Sequence, residues 1–115
     1  MSRQLDEQVM DRATALARVG GDLELFKEIA ALFLDEYPRA LDDIHKALAS
    51  CDARLLERAA HGLKGSVANF CARPAEDAAF QLEQMGRAQR MDQASQTLAT
   101  LEQSLALLQA ELASL

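Results

Sequence analysis

The stretch Ala59-Ala60-His61-Gly62-Leu63-Lys64-Gly65-Ser66-Val67-Ala68-Asn69-Phe70 reads as helix, yet it carries two glycines in mid-run. Each costs about 1 kcal/mol relative to alanine inside a helix, and the chain uses alanine freely elsewhere. Successive helical residues turn about 100°. With His61 set at zero, Leu56, Ala59, Leu63, Val67 and Phe70 fall roughly 160–240° away, on one apolar face. Arg54, Glu57, Arg58, Lys64, Gly65 and Ala68 fall within roughly 60° of His61. The spacing therefore predicts a histidine in the middle of the exposed face, opposite the core. Gly65 and Ala68, one and two turns onward, have almost no side chain, and Lys64 stands beside the imidazole.

The chain around this stretch has 115 residues, half of them hydrophobic, which is the size of one ordinary domain spanning 1–115. Phe26, Phe33, Phe70, Phe80 and Tyr37 are the aromatic residues. A core of Leu, Ala, Ile and Val with few aromatics suits packed helices. Net charge is −6 with no Lys/Arg-rich run, which argues against a nucleic-acid partner, because phosphate contacts need a basic surface. Cys51 and Cys71 give no disulfide framework and read as reduced thiols in a cytoplasmic setting. No apolar segment suits a signal peptide or a membrane span.

In chain order, Leu5, Val9, Ala13 and Leu16 keep helical spacing over about Leu5–Arg18, and Gly20-Gly21 ends that segment. Asp22 caps a long second segment, about Leu23–Ala49. Its apolar stripe is Phe26, Ile29, Phe33, Tyr37, Leu41, Ile44 and Leu48, and Pro38 predicts a kink or short break near Asp35–Tyr37. Asp52 caps a third helix running to about Ala72. Pro74 suits the first turn of a fourth, with Glu76 and Asp77 near its positive end. In that helix Ala78 or Ala79, Leu82 and Met85 face inward, and Gly86 reads as its C-cap. Asp92 reads as the cap of the last helix, where Ala94, Leu98, Leu101, Leu105, Leu108, Leu112 and Leu115 alternate spacings of 4 and 3. Short connections make sequential helices antiparallel. The predicted fold is all-α, an up-and-down antiparallel four-helix bundle with an additional N-terminal helix.

Much chemistry is excluded. No nucleotide-binding loop, HExxH or CxxC is present. Cys51, His61 and Cys71 are ten residues apart, a spacing that does not bring three ligands to one metal. His45, after Asp42-Asp43, reads as a solvated surface histidine. The leucine seam reads as internal core, with a dimer coil as the alternative.

His61 stands apart because of its surroundings. Between Asp52 and Arg73 the cations Arg54, Arg58, Lys64 and Arg73 outnumber the acids Asp52 and Glu57, in a chain that is acidic overall. A phosphoryl group on the imidazole brings roughly two negative charges, and Lys64 is placed to help neutralise them. Small residues at Gly65 and Ala68 let a partner's surface approach the ring. The pattern fits nucleophilic use of His61 on a phosphoryl group delivered by another protein.

The run Ala60-His61-Gly62-Leu63-Lys64-Gly65-Ser66 closely resembles the AHxLKGS signature of histidine-containing phosphotransfer (HPt) domains of multistep phosphorelays. Gly20-Gly21-Asp22, then Phe33-Leu34 with Pro38, looks like that family's second helix. Leu82-Glu83-Gln84-Met85-Gly86-Arg87 resembles its LExxGR segment. The resemblance implies that His61 is phosphorylated on the ring nitrogen farther from the backbone. It would accept the phosphoryl group from an aspartate of one receiver domain and pass it to another. Lys64 would stabilise the phosphohistidine, Gly65 would give the receiver room, and Glu83 would orient the ring. Arg54, Glu57, Arg58, Gly65 and Ala68 would form the partner-binding surface. No cofactor is implied: Mg²⁺ would belong to the receiver. The receivers would be those of a hybrid sensor histidine kinase and a downstream regulator. The domain itself would be a monomeric carrier, not an enzyme. It would be free in the cytoplasm or the C-terminal module of a membrane-bound hybrid kinase. One departure is visible, Cys71-Ala72 where the family usually has Gly-Ala.

Two other readings stand beside this one. A helical adaptor would keep the bundle and act only by binding, but it would have no need of the helix-weakening Gly65. A histidine kinase dimerisation domain also exposes a histidine on a bundle, but it would need a following glycine-rich ATP-binding domain, and none precedes Leu115.

Overall fold

The computed structural model describes residues 8–115. Five helices are present there: α1 Arg12–Arg18, α2 Leu23–Ser50, α3 Ala53–Ala68, α4 Arg73–Ala88 and α5 Ala94–Ala113. Helices α2 to α5 form the up-and-down bundle, in which α3 packs on both α2 and α4, α5 packs on α4, and α5 closes back onto α2.

Capping follows the side chains. Asp11, Asp22 and Asp52 each accept the backbone N–H three residues onward, at 3.1 Å in all three cases, which satisfies an N–H that the first turn leaves open. Gly20 and Gly21, with φ +70° and +75°, make the left-handed turn between α1 and α2. Pro74 lies in the first turn of α4.

The apolar stripes meet inside. Leu56, Leu63 and Val67 of α3, Leu82 of α4 and Leu101, Leu105 and Leu108 of α5 are buried; burying each such side chain contributes about 1.5–3 kcal/mol. Phe70 stands between Phe26 and Phe33, with ring centroids 5.9 and 5.2 Å away. The whole leucine seam of α5 is buried except for a half-buried Leu115.

Four local expectations are corrected. The expected segment of about Leu5–Arg18 is helical from Arg12, residues 8–11 lying before the helix, and Leu5 lies outside the described residues. Its inward residues are the buried Ala15 and the half-buried Leu16, while Ala13 is exposed. The helix is stitched to the end of α3 by Asp11 N–H to the Cys71 carbonyl (3.0 Å) and by Arg18 Nη1 to the Ala68 carbonyl (3.1 Å). Second, α2 runs without a break through Pro38; Pro38 is exposed, and the buried Phe33 and Ile44 pin the helix on either side. Third, α3 stops at Ala68, and the turn that follows puts Cys71 in the left-handed region at φ 51°. Fourth, neither Gly86 nor Asp92 caps a helix. Gln89 ends α4 in the left-handed conformation, and Gln93 precedes α5 with no side-chain cap.

Gly86 has a different task. It is buried inside α4, where an added Cβ would lie 2.7 Å from the Ala53 carbonyl oxygen and 2.7 Å from the Glu57 backbone nitrogen. The absent side chain therefore lets α4 cross α3 backbone to backbone. That close crossing brings Glu83 and Arg87, on neighbouring turns of α4, against the exposed face of α3.

Candidate functional site

His61 stands on α3 with its side chain 67% exposed. Beneath it lies Glu83 of α4, whose side chain is 3% exposed. His61 Nδ1 is 2.8 Å from Glu83 Oε2, and Lys64 Nζ is 2.7 Å from Glu83 Oε1. The lysine contact is an ion pair by distance, without the directional geometry of a hydrogen bond to Oε1. Arg87 Nη2 donates to Oε2 at 3.3 Å, and Arg87 Nε donates to Glu57 Oε2 at 3.0 Å. One buried carboxylate thus gathers an imidazole and two cations.

Burial by itself pushes the Glu83 carboxyl up. The close Lys64 ammonium, together with the hydrogen bond and charge of His61, more than offsets this and holds it below the usual value. Glu83 is therefore ionised at neutral pH and has no proton to give. The proton of the pair belongs on Nδ1 of His61, which donates to Oε2. In the neutral ring this leaves the lone pair on Nε2, the nitrogen outside the bond. His45 is a useful contrast. It also meets a carboxylate, Glu102 of α5, at 2.9 Å, but both side chains are about half exposed. The pair is a surface contact, as expected of a solvated surface histidine.

The residues expected around His61 divide into two groups. Arg54, Glu57 and Arg58 line one open cavity with His61, Glu83 and Arg87. Gly65 is exposed on the other side, and a Cβ there would meet nothing within 4 Å. Ala68 is half-buried, and its carbonyl is taken by Arg18. Lys64 is less open than its place on the helix predicts, at 25% exposure, and its ammonium lies over the ring of Phe80, 5.1 Å from the centroid.

Sequence reasoning named neither Arg87 nor Phe80 as site residues. Both signals were present: on a helix the residues three before and four after Glu83 share its face. What one helix's periodicity could not supply was the register of α4 on α3. Among the described residues, no group of three or more His, Cys, Asp or Glu side chains is gathered as a metal site would need. No helix there is long and apolar enough to cross a membrane.

Comparison with known proteins agrees with this fold. The crystal structure of histidine-containing phosphotransfer protein B (HptB) from Pseudomonas aeruginosa is similar in fold, with a TM-score of 0.85, 20% sequence identity and 91% of each chain covered. No curated protein sequence matches. The family model described as Hpt domain matches residues 28–111, which include α3, α4 and nearly all of α2 and α5. The chain belongs to the Hpt domain family.

Proposed function

We propose that this domain carries a phosphoryl group on His61 between two receiver domains of a two-component phosphorelay. The observation that supports it most is the His61–Glu83–Lys64 constellation. An exposed imidazole has one nitrogen held by a buried carboxylate, and an ammonium is bound to the same carboxylate. The Nδ1–H···Oε2 bond fixes the ring and leaves Nε2 as the nucleophile.

In the forward step Nε2 attacks the phosphorus of an aspartyl phosphate. The N–P bond forms and the acyl P–O bond breaks, returning the aspartate carboxylate. The phosphorylated ring keeps its Nδ1 proton and is cationic, so the Glu83 carboxylate faces a developing positive charge. Lys64, 2.7 Å from that carboxylate, neutralises charge on the phosphoryl oxygens. Reversal of the step delivers the group to a second aspartate. The chain acts as a carrier without an ATP site of its own, and any divalent metal belongs to the receiver. Gly65 offers clearance, while Arg54, Arg58 and Arg87 give this face a cationic border suited to an acidic receiver site.

The reading is tested by mixing the domain with a phosphorylated receiver, then adding a second, unphosphorylated one. Acid-labile, base-stable label should appear on the domain and then leave it for the second receiver. A binding-only adaptor would bind a receiver and take no label.

A further inference from the structure

Phe80 is 46% exposed, unusual for the one phenylalanine of the chain that is not in the core. It sits one turn before Glu83 on α4, so it faces the same stretch of α3. The Lys64 ammonium lies over its ring at 5.1 Å from the centroid and touches Glu83 Oε1 at 2.7 Å. A lysine stem has several free torsions, and in water an ammonium on an exposed helix face samples many positions. Here Lys64 retains only 25% of its exposure. Two contacts on α4, one ionic and one with an aromatic face, fix where its charge stands.

Resting on the phosphoacceptor reading of His61, we infer that Phe80 is a positioning residue for phosphoryl transfer. Its ring holds the Lys64 ammonium beside His61, so that the charge is in place when the phosphoryl group arrives. The carboxylate alone could not do this throughout the reaction. When the phosphoryl oxygens draw the ammonium away from Oε1, the aromatic face is the contact on α4 that still restrains it. Attraction between a cation and an aromatic face survives that shift, because it needs no directed bond. The exposure of Phe80 follows from the same role, since it covers a side chain at the surface and not the core.

Phosphoramidate is the suitable donor, because it carries no protein surface and partner docking does not enter. The rate of His61 phosphorylation should fall roughly two- to fivefold in Phe80→Leu, the fold-change that corresponds to loss of an exposed cation–aromatic contact. Phe80→Tyr should restore it. In a Lys64→Met background Phe80→Leu should change nothing. The Lys64 ε-methylene protons should also show an upfield ring-current shift that Phe80→Leu abolishes. A Phe80→Leu rate equal to wild type, or an equal loss in the Lys64→Met background, overturns the assignment and leaves the role of His61 standing. If His61→Gln takes up phosphoryl as fast as wild type, the phosphoacceptor reading fails with it.

Discussion

His61 Nδ1 lies 2.8 Å from Oε2 of Glu83, an exposed imidazole resting on a buried carboxylate of the neighbouring helix. Glu83→Gln keeps an acceptor for the Nδ1 proton and should retain most of the transfer rate. Glu83→Ala frees the ring and removes the ionic one of the two contacts that hold Lys64, and it should slow transfer on the order of tenfold or more. Rates of label transfer from a phosphorylated receiver measure both, and an unaltered rate in Glu83→Ala would remove the orienting role.

The same carboxylate links stability to pH. Burial pushes its pKa up, but Lys64 and His61 leave it net below the ordinary value of 4.5. The unfolded chain then takes up the proton more readily than the folded one. The stabilisation is fully present above the ordinary value and is lost as pH falls through the lower, folded value. Urea midpoints of wild type and Glu83→Gln should therefore differ near neutrality and converge as the pH falls well below the ordinary value of 4.5. A gap that stays constant into acid would show that the charge of Glu83 contributes nothing.

Three helical glycines should respond oppositely to alanine. At Gly62 and Gly65 a Cβ meets nothing within 4 Å, so each substitution should stabilise by about 0.5–1 kcal/mol. At Gly86 the Cβ would press on the backbone of Ala53 and Glu57, and the change should destabilise by about 1–3 kcal/mol despite its better helix propensity. Thermal melts decide the sign. Gly65→Gln should stay folded while slowing transfer sharply, because a long side chain then stands beside His61. A Gly86→Ala variant melting at or above wild type would refute the close crossing.

Cys71 occupies a left-handed position, φ 51°, in the turn after α3. A side chain there costs about 1–2 kcal/mol, a cost that glycine would not carry. Cys71→Gly should raise stability by about 1 kcal/mol, read from the denaturant midpoint. A lower midpoint would mean that packing of the half-buried thiol outweighs the backbone strain.

The exposed face of α3 was legible in the sequence because a 3.6-residue period on one helix fixes which residues share a face. His61, Lys64, Gly65 and the arginines could be placed with no knowledge of other helices. Helix starts at Asp22 and Asp52 were legible because a cap is a contact within three residues. Gly86 was misread for the converse reason. Its meaning lies in the backbone of Ala53 and Glu57 on another helix, and a glycine near a helix end looks like a C-cap when only the local chain is considered. Arg87 and Phe80 stayed out of the predicted site for the same cause. Pro38 was expected to kink or briefly break α2, and the helix runs through it unbroken with Phe33 and Ile44 packed on either side.

The most direct measurement is long-range ¹H–¹⁵N NMR of the domain phosphorylated by a receiver. The phosphoryl group should be found on Nε2 of His61, with Nδ1 protonated and bound to Glu83, and His45 should be unmodified. Phosphorylation on Nδ1 of His61, or on His45, would contradict the account.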